Sequence, residues 1–403
     1  MTLKASLLIG AVITVGIVSF AGFRSAARTG EFTTLTPVFE GSCQPVLAGM
    51  PGAEDVVLDR ESGTLFISSD NRRAWDDASP PAGAIFAVTL DEAGTTSAPV
   101  RVTDPALTGF HPHGISLWRG TDGQRVLMAV NHAGHGDITA TRVDIFDVGA
   151  TNTLTLRRSV QVPGLVRIND IAATGPDSFY ATRESALEPG SLSEMLALIL
   201  ADGGKSGSVW YFDGSNGRQV ATGIGFANSV ALSPDGARVY VSGTLDRTLH
   251  LFDRNPADGA LTVHDKVFLG TGLDNLDVEP DGRIWIGSHP KLFTWLAHAR
   301  DPARSAPVQV IIVEPATQGT GGKVDQVLLQ DGTAGPDGFS GATVAVRSGQ
   351  TLVMGSVFDQ GIRVCTLPAV WKQSQSHPAQ RLIDPERDDA AKAAREKLGA
   401  GAQ

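Results

Sequence analysis

Oxygen-bearing side chains that suit a metal ion recur at one point of a repeated sequence pattern. Glu54, Asn169, Asn228, Asp274 and Asn275 each stand at the start of a short apolar run. Carboxylate and amide oxygens are the donors that calcium prefers, and the ion takes six to eight of them. Two of these five residues are carboxylates, so their charge balances one divalent ion. The set predicts a calcium site if the fold brings these distant positions together.

A histidine occupies the same point in a further copy of the pattern. His113 precedes one apolar run, and His132 follows the next run, residues 126–131. A hairpin brings the ends of its strands together, so the two imidazoles should be neighbours. Either histidine alone is more often a hydrogen-bonded core residue. The pair favours a general base, His113, with His132 as its partner and His111 packed nearby.

The elements that carry these residues form a sixfold repeat. The copies start at residues 54, 113, 169, 228, 274 and 341, about 57 residues apart. Each copy has room for four short strands, and radial repetition of four-stranded sheets is a β-propeller. The predicted fold is therefore all-β, a six-bladed propeller over residues 31–366 with calcium at its centre. The first strand of each blade lines the channel, where only the sixth copy offers no polar side chain.

These residues also carry a resemblance to a known family. The chain resembles the serum paraoxonases, calcium-dependent lactonases and arylesterases of the gluconolactonase-like superfamily, over residues 40–366. The matching motifs, in order, are Glu54-Asp55, residues 111–115, 130–132, 168–171 and 225–228, Asp274-Asn275, residues 288–290 and a cysteine near each end of the propeller.

The resemblance implies a role for each matching residue. It implies that Glu54, Asn169, Asn228, Asp274 and Asn275 hold a catalytic calcium ion. A second, structural calcium ion is implied at Asp55, Asp170 and the backbone carbonyl of Ile115. It further implies a histidine dyad of His113 and His132, and a disulfide between Cys43 and Cys365.

The positions of the two cysteines in the chain also favour a disulfide. Cys43 follows a predicted strand at residues 32–39, and Cys365 ends the last predicted strand. A propeller closes when one blade borrows a strand from the opposite terminus, so these ends should be neighbours. In an oxidising compartment they favour a disulfide over two buried free thiols.

Residues 1–30 are predicted to direct export. Lys4 precedes an uncharged run at residues 5–23, which Arg24 and Arg28 follow. The run is long enough to span a membrane as a hydrophobic helix, and its Gly and Ala content also fits a signal peptide. The flanking arginines make a poor cleavage site, which favours a signal anchor with Lys4 in the cytoplasm. The protein is thus expected to face the periplasm or extracellular space on a membrane anchor, or to be secreted.

Composition and the remaining segments narrow the function classes. The net charge of −10 argues against a nucleic-acid partner, and no Walker, HExxH or Gly-x-Ser-x-Gly motif occurs. Residues 367–403 form a predicted polar tail with a helix at 384–397. The oligomeric state is not predicted.

Three further segments could shape the pocket. A polar loop at 71–82 containing Trp75 is either a lid or an ordinary surface loop. Residues 187–204 predict an apolar helix with a capping box at 191–194, similar to a helix over the paraoxonase entrance. Just before it, Arg183-Glu184-Ser185 replaces the Asn-Asp-His of that family. Phe226 could be pocket wall or core, and His289 could be a third imidazole of the pocket.

These observations predict a calcium-dependent hydrolase of lactones and aryl esters. The ion would polarise the carbonyl, and water activated by His113 would attack it. One alternative is a sugar lactonase of the gluconolactonase type. Another is a non-enzymatic extracytoplasmic propeller with purely structural calcium.

Overall fold

The fold is a ring of six antiparallel sheets, as the repeats predict. The computed structural model describes residues 16, 19–75, 77, 80–91, 94–134, 140–188, 191–194, 205–316, 321–335 and 337–368. Five of the sheets are built from four strands that follow one another in the chain, and the sixth combines both ends of the propeller. The all-β, six-bladed prediction is therefore confirmed.

The strands are short, and each blade begins at the channel. The strands are β1 Ser42–Cys43, β2 Leu47–Ala48, β3 Ala53–Asp59, β4 Thr64–Ser69, β5 Ala84–Thr89, β6 Val100–Arg101, β7 Pro112–Arg119, β8 Arg125–Asn131, β9 Arg142–Val148, β10 Leu154–Val160, β11 Ile168–Ala173, β12 Phe179–Arg183, β13 Gly207–Phe212, β14 Gly217–Ile224, β15 Ala227–Leu232, β16 Arg238–Gly243, β17 Thr248–Arg254, β18 Leu261–Phe268, β19 Gly272–Val278, β20 Ile284–His289, β21 Val308–Pro315, β22 Gly322–Gln330, β23 Val344–Ser348, β24 Thr351–Gly355 and β25 Gly361–Thr366. Blades one to five are β3–β6, β7–β10, β11–β14, β15–β18 and β19–β22.

Blade six closes the ring with strands from both ends of the propeller. Its order is β23, β24, β25 and then β1, with β2 also paired to β25. Cys43 lies opposite Cys365 in the β1–β25 register, and the two form a disulfide. The strand predicted at 32–39 is wrong, because only Val38 pairs there, with Leu329. Pro37 has no N–H to donate to a ladder, and β1 supplies the closing strand instead.

Strand burial follows the position of each strand in its blade. The second strand of blade one, β4, is buried at every residue, whereas the outermost strand of blade two, β10, is exposed at most of its positions. Large side chains fill the space between neighbouring blades. Phe66, Phe110 and Phe146 pack together between blades one and two, and the fully buried Trp285 packs between blades five and six. This packing fixes the blades around one axis.

Two helical segments lie outside the blades. Residues 19–28 are helical, and the chain that follows reaches the helix Leu292–Arg300, where Leu292 N–H donates to Thr29 O. Within the described residues, no helix has the length and apolar character needed to cross a membrane. At the predicted capping box, Glu194 N–H donates to Ser191 Oγ at 3.2 Å. The rest of that apolar helix, residues 195–204, and the helix predicted at 384–397 fall outside the described residues.

Candidate active site at the propeller hub

A backbone irregularity marks the predicted site residues in five blades. The innermost strand shifts register between Ala53 and Val56, Pro112 and Ile115, Ile168 and Ile171, Ala227 and Val230, and Leu273 and Leu276. Two residues then oppose one on the next strand, which is a β-bulge. The bulged pairs are Glu54-Asp55, His113-Gly114, Asn169-Asp170, Asn228-Ser229 and Asp274-Asn275. The bulges therefore coincide with the residues that could do chemistry.

Hydroxyl groups on the facing strands support three of these bulges. Ser68 Oγ accepts from the Asp55 N–H at 3.1 Å, and Thr182 Oγ1 accepts from the Asp170 N–H at 2.9 Å. Ser242 Oγ accepts from Ser229 N–H at 2.8 Å. A bulge leaves an N–H outside the ladder, and a buried N–H needs a partner. Sequence reasoning missed these residues, although each is the penultimate residue of the second strand of its blade.

The sixth blade does contribute a polar side chain, contrary to the prediction. The equivalent position is Thr343, two residues after the start assigned to that copy. Its Oγ1 donates to Glu54 O at 2.6 Å, and its carbonyl accepts from Asn275 N–H at 2.8 Å. Gly287 admits this close approach, because an added Cβ would lie 2.4 Å from the Thr343 carbonyl. Thr343 therefore links blades one, five and six at the hub.

Within the part of the chain that the structure describes, four buried side-chain oxygens at the hub have no hydrogen-bond partner. They are Glu54 Oε2, Asn169 Oδ1, Asn228 Oδ1 and Asn275 Oδ1. Their residues come from four different blades and are between 1% and 6% exposed. Leaving a buried acceptor unpaired costs about 1–3 kcal/mol, so four together indicate a missing electropositive ligand. Within the described residues, no group of three or more His, Cys, Asp and Glu side chains is arranged for a metal, so such a site depends on the amide oxygens.

Hydrogen bonds donated by the amide nitrogens fix the direction of two of these oxygens. Asn275 Nδ2 donates to Glu54 Oε1 at 2.9 Å. The Asn169 side chain bonds the buried Glu184 carboxylate. Glu184 is held in turn by Arg167, with nitrogen–oxygen distances of 2.7 and 2.9 Å. Sequence reasoning noted Glu184 only as a departure from the family pattern, and Arg167 gave no signal.

Two further carboxylates, Asp55 and Asp170, stand on the same bulges. The oxygens of Asp55 accept from the N–H groups of Val56 and Ile115, both at 2.8 Å. Burial raises the pKa of Asp55 well above its usual value, and the nearby Asp170 raises it further. Burial also raises the pKa of Asp170 to about 7, against hydrogen bonds from Ser229 and two backbone N–H groups. Buried carboxylates this close together favour a cation between them, or a proton.

The predicted dyad is present as two neighbouring imidazoles. The rings of His113 and His132 lie 5.0 Å apart in an edge-on arrangement. His132 Nε2 lies 3.0 Å from Ile168 O, and a carbonyl only accepts, so Nε2 carries the proton. His132 Nδ1 is therefore an acceptor, and it is buried without a partner among the residues that the structure describes. Burial lowers the pKa of both histidines well below the usual value, which favours neutral rings.

His113 Nδ1 lies close to one hydrogen-bond donor and one hydrogen-bond acceptor. It lies 3.1 Å from Glu54 Oε2, and the Arg72 guanidinium donates to it. A single ring nitrogen cannot accept from Arg72 and also donate to Glu54. Glu54 Oε2 therefore has no hydrogen-bond donor among the described residues. Burial raises the pKa of Glu54 to about 6, while Arg72 and Asn275 act to lower it.

The third histidine, His289, forms a hydrogen bond with the site residue Asp274. Its Nε2 lies 2.6 Å from Asp274 Oδ2. Burial raises the pKa of Asp274, and the bond from His289 opposes that shift. The His289 ring packs on Trp295 at 4.6 Å. His289 is thus a positioning residue for Asp274.

The loop that carries Trp75 lies beside the histidines. Trp75 Nε1 donates to Asp70 Oδ2 at 2.8 Å, and Asp70 Oδ1 lies 3.1 Å from His111 Nδ1. The Trp75 ring is 5.9 Å from the His132 ring. Phe226, one residue before the blade-four strand, is half-buried and adopts a φ of 60°. A left-handed non-glycine residue here is a strained position of the kind found near functional sites.

Comparison with solved structures finds propellers of limited similarity. A luciferin-regenerating enzyme is 15% identical, with a TM-score of 0.48, over 82% of this chain and 95% of that one. A putative gluconolactonase is 17% identical, with a TM-score of 0.46, over 83% of this chain and 95% of that one.

Comparison by sequence is more specific. Human serum paraoxonase/arylesterase 1 is 29% identical over 372 residues, which cover 89% of this chain and 99% of that protein. Human serum paraoxonase/lactonase 3 is 30% identical over 295 residues, 72% of this chain and 80% of that protein. The family model described as Arylesterase matches residues 76–367, most of the chain. The chain therefore belongs to the arylesterase family and is an ester hydrolase of that family.

Proposed function

We propose that the protein is a calcium-dependent hydrolase of lactones and aryl esters, with its active site at the hub. The observation that carries this proposal is the set of four buried, unpartnered oxygens on Glu54, Asn169, Asn228 and Asn275. Oxygen-only donors suit a hard cation such as calcium. The names of the relatives, paraoxonase, arylesterase and lactonase, support esters and lactones as substrates.

The donor set fits one catalytic ion in type and charge. Glu54, Asn169, Asn228, Asp274 and Asn275 would hold it, and their two carboxylates balance a divalent cation. When bound, calcium supplies an electrophile that polarises the substrate carbonyl. The protein's part is orientation: Asn275 holds the Glu54 carboxylate, Glu184 holds the Asn169 amide, and His289 holds Asp274.

A second, structural ion is proposed at Asp55 and Asp170 with the Ile115 carbonyl. Each Asp oxygen that accepts a backbone hydrogen bond keeps a further lone pair for a cation. Burial is the first cause of the raised pKa values of both carboxyl groups. A cation between them would stabilise their ionised forms.

The histidines provide the proton chemistry in this proposal. Once Arg72 turns away from His113 Nδ1, that nitrogen accepts a proton from the attacking water, and His132 Nδ1 can accept the Nε2 proton of His113. The proton then returns to the departing alkoxide or phenoxide. General-base catalysis of this kind contributes roughly 10²–10⁴-fold.

The test is hydrolysis of a substrate panel with and without metal. Phenyl acetate, alkyl γ- and δ-lactones and a sugar δ-lactone are assayed before EDTA, after EDTA and after calcium is restored. We expect activity on esters and alkyl lactones that EDTA abolishes and calcium restores. Unchanged hydrolysis in EDTA contradicts the calcium role, a preference for the sugar lactone favours the gluconolactonase alternative, and no hydrolysis favours a non-enzymatic propeller.

Export is part of the proposal. The Cys43–Cys365 disulfide suits an oxidising compartment, while the hydrophobic run at residues 5–23 could act as an anchor or a cleaved signal. Cell fractionation and the N-terminal sequence of the mature protein decide between a membrane-anchored and a secreted form.

A further inference from the structure

We propose that Arg72 selects substrates that carry a carboxylate close to the scissile ester or lactone bond. This inference rests on the proposed function and names the substrate class of the same site. Its basis is one half-buried guanidinium that faces the hub and forms no ion pair among the described residues.

Arg72 stands in the short 3-10 turn Arg72–Ala74 of the loop that follows β4. Its guanidinium donates to His113 Nδ1 and lies 5.1 Å from the centre of the Trp75 ring. Among the described residues, its Nε is buried without a hydrogen-bond partner, and no ion pair joins Arg72 to a carboxylate. A cation beside the base, with a donor still free, is placed to meet a substrate.

The adjacent arginine, Arg73, has a structural role in this loop. Arg73 Nε donates to Phe358 O at 3.2 Å, and its two other nitrogens donate to Ala299 O and His298 O at 2.9 Å. Arg73 therefore bonds the loop to the end of the helix Leu292–Arg300. Arg72 makes no such set of backbone bonds, although both residues belong to the same turn.

The hydrogen bonding at the hub leaves Arg72 available to an anionic substrate. Glu54 and Asp274 together balance one divalent ion, and Asp70 balances the charge of Arg72 without a hydrogen bond between the two. The Asp70 oxygens are instead bonded to His111 and Trp75. A guanidinium binds a planar carboxylate through paired N–H donors, with about twice the strength of a neutral hydrogen bond. A lactone with a carboxylate one or two bonds from its ring oxygen would satisfy that geometry.

The kinetic test compares two lactones of equal shape. These are 5-oxotetrahydrofuran-2-carboxylate and its neutral carboxamide, assayed with calcium-loaded wild type, Arg72→Gln and Arg73→Gln. We expect the wild type to prefer the carboxylate in kcat/KM by about tenfold or more. Arg72→Gln should lose that preference, and the matched control Arg73→Gln should keep it. A ratio that Arg72→Gln leaves unchanged overturns the assignment.

A binding measurement separates this inference from the proposed function. Calorimetry of calcium-loaded protein with glutarate, and with neutral glutaramide, requires no hydrolysis. Arg72→Gln should weaken glutarate at least tenfold and reduce the glutarate–glutaramide difference, whereas Arg73→Gln should not. Failure to hydrolyse any ester defeats the proposed function alone. Wild type that binds glutarate no more tightly than Arg72→Gln defeats the role of Arg72.

Discussion

Asn275 donates a 2.9 Å hydrogen bond to Glu54 across the hub, although 221 residues separate the two in the chain. The bond joins blade five to blade one and leaves one oxygen of each side chain without a partner. Donating through Nδ2 turns Asn275 Oδ1 to the other side of the amide. A single contact thus orients two of the proposed ligands.

Asn275→Ala should therefore weaken calcium binding by more than the loss of one ligand oxygen alone would. Removing the amide deletes its oxygen and releases the Glu54 carboxylate. We expect the dissociation constant for calcium to rise roughly 10–100-fold, the usual size of such effects. Calorimetric titration of the chelated protein measures it. Asn216→Ala, in an exposed turn, is the control, and equal affinities for the two variants would argue against the site.

The two histidines should contribute unequally to turnover. His113→Gln removes the proposed base and should lower kcat roughly 10²–10⁴-fold. His132→Gln removes only the partner that accepts at Nδ1, so a smaller loss, roughly tenfold or more, is expected. Phenyl acetate hydrolysis at saturating calcium gives both values. His264→Gln, on outer strand β18, should retain activity, and full activity of His113→Gln would exclude the dyad mechanism.

Gly341 should be intolerant of a side chain because Trp295 packs against it. An added Cβ would lie 2.5 Å from Trp295 Cδ1, at a φ of 57°. Gly349 has a nearly identical φ of 58° and no heavy atom within 4 Å. Gly349→Ala thus carries only the left-handed backbone cost, about 1–2 kcal/mol, and Gly341→Ala adds a steric cost of about 1–3 kcal/mol. Urea denaturation measures the difference in unfolding free energy between the two variants. Equal destabilisation would show that Trp295 moves aside without a steric cost.

The same Gly341→Ala substitution should also affect calcium binding at the proposed site. Trp295 stacks on His289, and His289 bonds Asp274. We therefore expect weaker calcium binding in Gly341→Ala than in Gly349→Ala, measured by the same titration.

The stability of the metal-free protein should fall as pH rises above neutrality. Burial raises the pKa of Asp170 to about 7. A carboxyl group with a raised folded pKa contributes stability below its unfolded pKa, and loses it as pH rises through the folded value. His113 and His132 have lowered pKa values, so their contribution is lost only as pH falls below the usual histidine value of 6.5. The window from about pH 6.5 to 8 therefore isolates the carboxyl groups.

Thermal unfolding in EDTA across that window tests the prediction. One proton accounts for at most about 1.4 kcal/mol per pH unit. Calcium should remove the decline, and Asp170→Asn should reduce it in EDTA. An EDTA slope that Asp170→Asn leaves unaltered would show that other groups dominate.

Much of the architecture could be predicted from the sequence, because a repeat is a local signal. The spacing of copies indicated six blades, and the polar residue at the start of each copy located the hub positions. The two cysteines indicated where the ring closes, since they flank the repeats. The position in the sixth copy was wrong by two residues, because Gly341 and Ala342 precede the strand instead of beginning it.

The contacts that orient the site could not be predicted in the same way. A bulge is one extra residue in a strand of six to eight, too small a change to disturb an apolar pattern. Asn275 with Glu54, His289 with Asp274, and Arg72 with His113 pair only after the ring has closed. Arg72 stood in a polar loop, where a charged residue normally indicates nothing beyond solvent exposure.

The bulged inner strands have a consequence for how new specificities could arise. The proposed ion-binding residues belong to the strands of the blades, whereas Arg72 and Trp75 belong to a connecting segment. Connections tolerate insertions and exchange far better than strands do. Grafting a different segment between β4 and β5 should therefore redirect the enzyme to other acids or to neutral esters while the reaction itself is retained.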